Sequence, residues 1–291
     1  MENILIIKTG AIGDVVRTTA LLNVLAGNIY WVTAEESKPV LPDDIAVLKV
    51  FSVKEAFQSL KKISFSRLIS LEENEDCAKL ATEIKSKDLT GIYFSKGKIN
   101  YTDNSASWFD MSRISRLGLT KANELKAANT RTYQDHIFGM TGKHFSGEPY
   151  CIFTAAKSQN RNKLIGVEAR SGKQWPNKQW WGYDELVRRL RTNGYPVRVF
   201  QQRDNIRDYL ADIAECNHIV SGDTLAMHIA LAYQKTCTAI FNCTSPNEIY
   251  DYGLLKKIIS PLLAKYFYST SCEQEVIQSV SLEEVYQSLP V

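Results

Sequence analysis

Several things are scarce in this chain of 291 residues. No apolar run approaches the ~20 residues of a membrane-spanning helix, which excludes an integral helical membrane protein. The six cysteines, Cys77, Cys151, Cys216, Cys237, Cys243 and Cys272, are scattered and form no Cys-x-x-Cys pair. That spacing excludes a disulfide frame and a zinc site, and it reads as reduced, mostly buried thiols of a cytoplasmic protein. The four histidines have no metal-ligand spacing, so no metal is expected. Excess charge is missing too. A balance of 35 basic against 32 acidic residues leaves +3, too little to argue for a nucleic-acid partner. The start, Met1-Glu-Asn-Ile-Leu-Ile-Ile-Lys, lacks a basic leader region and reads as a first β-strand. There is no low-complexity tract and no repeat at a solenoid period.

Two phosphate-binding patterns are also absent. Gly166-Val-Glu-Ala-Arg-Ser-Gly172-Lys173 resembles a Walker loop but has five residues between its glycines, and Gln174 stands where a Ser or Thr would hold Mg²⁺. Thr9-Gly10-Ala-Ile-Gly13-Asp14 lacks the dinucleotide Gly-x-Gly-x-x-Gly pattern. Kinase and classical dehydrogenase readings lose their support.

What is present is a strand–helix rhythm. Strands are expected at Ile4–Lys8, Ile29–Thr33, Val47–Phe51, Leu68–Leu71 and Gly91–Phe94, with helices at Asp14–Leu25, Lys54–Lys62 and Glu75–Ser86. The segment from Ser95 to Phe145 breaks the rhythm and reads as helical over Ala122–Gly139. The tract Gly142–Pro149, with two glycines and a proline, is the linker candidate and sets domains at 1–147 and 148–291. The second half resumes with strands at Leu164–Ala169, Val197–Phe200, His218–Val220, Thr238–Phe241 and Lys257–Ile259. Helices are expected at Lys178–Arg191, Ile206–Glu215 and Thr224–Ala232, and a last one at Ser281–Leu289 has the option of crossing back to the first domain. Alternating β and α elements predict parallel sheets covered on both faces.

Two junctions stand out. Ile4-Leu-Ile-Ile-Lys8 runs into Thr9-Gly-Ala-Ile-Gly-Asp14 and a helix. Ile219-Val-Ser-Gly-Asp223-Thr runs into an apolar helix containing His228. At the carboxyl edge of a parallel sheet a helix start aims free N–H groups at an anionic ligand. Asp14 has two readings from its residue type and place: a general base in a glycine-flexible loop, or a helix N-cap. Asp223 and His228 have a similar pair, ligand contacts or an N-cap and an interior histidine. Lys173 is either a cation for a diphosphate or a solvated lysine. Arg170 is a weaker phosphate candidate.

Three segments together resemble glycosyltransferase family 9, the ADP-heptose heptosyltransferases of lipopolysaccharide synthesis. They are Ile4 through Thr19, Lys173-Gln-Trp-Pro176, and Gly222-Asp-Thr-Leu-Ala-Met-His-Ile-Ala230, in the family's order. The resemblance implies a GT-B architecture, two Rossmann-like α/β domains whose parallel sheets face each other across a cleft. It implies an inverting, metal-independent transfer with Asp14 as base and no cofactor. The nucleotide-sugar donor, ADP-heptose by family, would be bound by Arg170, Lys173, Asp223, Thr224, Leu225 and His228. The N-terminal domain would take a lipopolysaccharide-core or other glycan or glycolipid acceptor through Thr9, Gly10, Arg113 and Arg116, in the cytoplasm or at the inner membrane face. Departures from the family pattern are Leu225 for a usual Gly, Ala226 for a common Pro, and Gln201-Gln-Arg-Asp204 where a Gly-Gly and a Glu are usual. They leave open a different nucleotide sugar with a non-lipopolysaccharide acceptor, a binding protein without turnover, or a nucleotide-sugar epimerase.

Overall fold

The computed structural model describes residues 2–155 and 163–290. The chain divides into two α/β units, Met1–Phe153 and Thr154–Val291, a few residues beyond the boundary read from the linker tract.

The first unit holds a six-stranded sheet. Its strands are β1 (Asn3–Ile7), β2 (Asn28–Val32), β3 (Leu48–Phe51), β4 (Phe65–Ser70), β5 (Ser86–Ser95) and β6 (Lys98–Tyr101), in the order β3-β2-β1-β4-β5-β6. The first five run parallel, in register from Ile4 opposite Ile29 and Arg67. β1 is central and buried on both faces, which is why it reads as an unbroken apolar run. Leu5, Ile7, Tyr30, Val32 and Leu68 pack under the apolar stripe Cys77, Leu80, Ala81 and Ile84 of the helix Glu75–Glu83 and its end.

The second sheet is parallel throughout. It comprises β7 (Ile165–Val167), β8 (Val197–Val199), β9 (His218–Gly222), β10 (Thr236–Phe241) and β11 (Leu255–Ile259), in the order β11-β10-β9-β7-β8. Val167, Val220, Ile240 and Ile258 meet Trp180, Tyr183, Leu186 and Leu190 of the segment that ends in the helix Tyr183–Thr192. The last helix, Leu282–Gln287, commits its apolar side to this same core through Val285 and the following Leu289. Trp180 Nε1–H and Trp181 Nε1–H both donate to the Val280 carbonyl just before it, at 2.9 and 3.1 Å.

Two helix expectations need correction. The first helix is α-helical only over Ile12–Thr18 and continues as a 3₁₀ turn over Thr19–Asn23. The Thr18 and Thr19 hydroxyls donate to the Asp14 and Val16 carbonyls, competing with the backbone ladder. The single helix expected over Ala122–Gly139 is two, Leu119–Ala128 and Tyr133–Met140, because Thr132 and Asp135 close a capping box that starts a new helix. The strand–helix rhythm breaks at Ser95 as expected, and the break opens with a strand absent from the sequence reading. β6 returns antiparallel on β5 through Lys96 and Gly97, both with positive φ, the backbone of a two-residue hairpin.

Two histidines are structural. His136 lies between Ser107 Oγ and Asn129 Oδ1, both at 3.2 Å, and His218 between the hydroxyls of Thr236 and Thr238. Burial, aided for His136 by nearby Arg131, pushes both imidazoles down to about 4. In the unfolded chain they titrate near 6.5, so between pH 6.5 and about 4 the unfolded state binds more protons and stability falls as pH falls. Urea unfolding at pH 7 and pH 4.5 should differ by on the order of a few kcal/mol, and replacing both histidines by Gln should flatten that difference. An unchanged slope would show that neither ring is held neutral by the fold.

Candidate active site

In each sheet the strand order reverses beside the first strand of its unit, between β1 and β4 in the first and between β7 and β9 in the second. Ligands of open α/β sheets bind outside the carboxyl ends of the strands at such points.

In the first unit this edge is Lys8, Thr9 and Gly10 after β1, and Glu72 after β4. The Glu72 carboxylate accepts from the Thr9 N–H at 3.0 Å and from the Gly10 N–H. It also takes the Lys8 ammonium, whose Nζ is 3.4 Å from Oε2. Thr9 is further tied through its hydroxyl to Asn74 and Cys77. Asp14 follows on the first turn of Ile12–Thr18. Ala11 occupies the N-cap position, so Asp14 does not cap this helix. Its Oδ2 is 3.9 Å from Lys8 Nζ and its Oδ1 is 3.6 Å from Arg17 Nη1. Both cations are buried, whereas the Asp14 side chain is 42% exposed. Arg17 lies 4.1 Å over the Tyr133 ring. Burial disfavours the Lys8 ammonium, yet Asp14 and Glu72 outweigh it and hold its pKa above the usual lysine range. Burial likewise opposes the Glu72 carboxylate, and Lys8 with the Gly10 and Thr9 N–H groups overcomes it and holds the group low.

In the second unit the edge is built around Asp223. The chain leaves β9 through Gly222, where a Cβ would sit 2.9 Å from the Lys178 carbonyl, so only glycine fits. The Asp223 Oδ2 accepts from Lys178 Nζ at 2.8 Å and Thr244 Oγ1 at 2.7 Å, and Lys178 also donates to the Asp223 carbonyl. The Nε2 of buried His228 is 3.9 Å from Oδ1. Burial would raise the Asp223 carboxyl, but Lys178 and His228, with the hydrogen bonds from Lys178 and Thr244, hold it well below the usual carboxylate range. Thr224, not Asp223, is the N-cap residue of the eight-residue helix Leu225–Ala232, and its side chain makes no cap bond. The first N–H groups of that helix have no intrahelical acceptor and carry the positive end of its dipole.

The sequence candidates thus fall into distinct surroundings. Thr9, Gly10 and Asp14 come together, with Lys8 and Glu72 as unforeseen partners. Asp223, Thr224, Leu225 and His228 come together, but the lysine on Asp223 is Lys178; Lys173 is exposed on the loop after β7. Arg170 is engaged by the protein itself. Its Nε and Nη2 donate to buried Glu168 at 2.8 and 2.6 Å, Nη1 donates to Gln202 at 3.1 Å, and Glu168 also accepts from Tyr209. Arg116 pairs with Asp103 at 2.8 Å and stacks on Tyr101, while Arg113 is exposed. Among the described residues no group of three or more His, Cys, Asp and Glu side chains could hold a metal ion, and no helix is long and apolar enough to cross a membrane.

No family model matches this sequence, and no curated protein does. Solved structures do. A glycosyl transferase of family 9 from Veillonella parvula superposes with a TM-score of 0.65 at 17% identity, covering 99% of this chain and 98% of that one. The heptosyltransferase WaaC of E. coli, solved with ADP-2-deoxy-2-fluoro heptose, gives 0.57 at 12% identity over 98% and 99%. The E. coli ADP-heptose lps heptosyltransferase II gives 0.58 at 15% identity over 89% and 90%. The chain therefore has the fold of the family 9 glycosyltransferases, two Rossmann-like α/β units of the GT-B class, over nearly its whole length.

Removing the Lys178 amine should strand a buried carboxylate. Lys178→Met is expected to lose roughly 3–5 kcal/mol of stability, and Lys178→Met with Asp223→Leu should recover most of it. Equal stability of Lys178→Met and the parent in chemical denaturation would mean that the pair does not hold the loop.

Proposed function

We propose that this chain is an inverting, metal-independent glycosyltransferase. It moves a sugar from a nucleotide diphosphate, ADP-heptose foremost, to the hydroxyl of a glycan or glycolipid acceptor, with Asp14 as general base. The observation that carries this is the half-exposed Asp14 carboxylate at the carboxyl edge of its sheet, beside the buried cations Lys8 and Arg17. The shared fold with family 9 transferases, one of them solved with an ADP-heptose analogue, supports the reaction class and the donor.

The chemistry follows from charge. The acceptor oxygen attacks the anomeric carbon from the side opposite the diphosphate, Asp14 takes its proton, and the carbon–oxygen bond to the diphosphate breaks. The departing nucleoside diphosphate gains negative charge. The N–H groups at the start of Leu225–Ala232, the Thr224 hydroxyl and Lys173 can offset it without a metal. Asp223, turned toward Lys178 and Thr244, holds the turn and keeps its charge off the phosphates. The acceptor is assigned to the first unit beside Thr9 and Gly10, where the Glu72 bonds fix the backbone. A lipopolysaccharide-core acceptor would place the enzyme in the cytoplasm at the inner membrane face.

A second reading, a different nucleotide sugar, is favoured by one feature. Leu225 adds a side chain where the helix receives the diphosphate, and the loop Gln201–Asp204 carries no Gly-Gly-Glu. A thermal-shift panel of nucleotide sugars separates the two, because the true donor stabilises the native state by mass action.

Asp14→Asn keeps the shape but cannot take a proton. Turnover should fall by roughly 10²–10⁴-fold while donor affinity and melting temperature stay as in the parent. Near-parental turnover would remove Asp14 from the mechanism. Lys173→Ala should weaken both donor binding and turnover, because the charge it meets grows as the nucleotide departs. Unchanged donor affinity in that variant would return Lys173 to the solvated surface.

A further inference from the structure

At the end of β1 one buried cation faces two carboxylates. Lys8 Nζ lies 3.4 Å from Glu72 and 3.9 Å from Asp14, and only the first contact is a hydrogen bond. Glu72 is itself fixed by the Thr9 and Gly10 N–H groups. Lys8 therefore cannot leave Glu72 without stranding a carboxylate whose side chain is only 12% exposed. Arg17 flanks the other Asp14 oxygen at 3.6 Å and is retained by Tyr133 beneath it. Asp14 thus stands beside two cations without a direct bond from either.

We propose that Glu72 is a positioning residue for Asp14: it retains the Lys8 ammonium, so that Lys8 does not close onto Asp14, and it fixes the turn from which the Asp14 helix starts. This rests on the reading of Asp14 as the base. A direct ammonium bond would occupy an oxygen lone pair and favour the ionised form, and both oppose proton uptake from the acceptor. Among the described residues Glu72 and Asp14 are the carboxylates within 4 Å of Lys8, with Glu73 acting on it from farther away, so neutralising Glu72 leaves Asp14 as its nearest partner.

Glu72→Gln tests this, because the amide oxygen can still accept from the Thr9 and Gly10 N–H groups while the charge is lost. Its kcat should fall on the order of tenfold with the donor KM unchanged, since the fault lies in placing one reacting group. Lys8→Met added to Glu72→Gln removes the intruding ammonium and should return most of the lost kcat. A merely structural role for Glu72 would leave the double variant no more active than the single one, and that result would overturn the proposal. An activity-independent arm measures the coupling of Lys8 to Asp14 as non-additive melting shifts of Lys8→Met and Asp14→Asn, with Glu or Gln at position 72. The coupling should grow when position 72 is Gln; no growth overturns the proposal. Glu72→Gln that fails to fold while the double variant folds overturns it as well, because closure of Lys8 on Asp14 is what spares the single variant. Growth of the coupling together with parental turnover in Asp14→Asn would instead overturn the assignment of Asp14 as base.

Discussion

A carboxylate taken out of water needs a cation at its side, and this requirement shapes both sheet edges. In the first unit Glu72 and Asp14 share Lys8; in the second Asp223 holds Lys178. Each pair joins a residue at the carboxyl end of a central strand to one from a neighbouring strand or loop. Each therefore fixes a backbone turn where the strand order leaves a crevice. In the turn after β1 the Thr9 and Gly10 N–H groups bond to Glu72, and in the turn after β9 the Asp223 carbonyl accepts from Lys178. The pairs contribute less as net stability, since desolvation offsets much of the attraction, than as a fixed geometry.

The two edges divide the work by exposure. The first presents an acid, Asp14, whose cations lie beneath it. The second turns its acid inward and leaves a helix start outward. Asp14 is half exposed, which suits the proton acceptor proposed for it, whereas Asp223 is engaged by Lys178 and Thr244 with His228 beside it.

Much of this was legible in the sequence, for physical reasons. Strands buried on both faces write themselves as Ile4-Leu-Ile-Ile or Ile219-Val, and helices that cover them carry stripes such as Cys77, Leu80, Ala81 and Ile84. The two junctions were visible because an apolar strand there runs through a short polar turn straight into an apolar helix, the usual connection between parallel strands. Single polar partners were not. Lys173 drew attention through its motif, whereas Lys178, read as the first residue of a helix, lies in a 3₁₀ turn that reaches Asp223. Glu72 had a signal, an acid immediately after a buried strand at the sheet's carboxyl edge. Its partners are 62 to 64 residues away, and no local pattern announces a pairing at that separation. The helix break at Thr132 had a local signal that the single-helix reading passed over, the Thr-x-x-Asp box of Thr132 and Asp135.

The central claim is that a nucleotide diphosphate sits on the helix start after β9. Amide hydrogen exchange with and without ADP tests it most directly. The account predicts slowed exchange confined in the second unit to amides from Gly222 to Ile229 and the loop around Lys173. Protection absent from that junction, or found only elsewhere while ADP demonstrably binds, would contradict it.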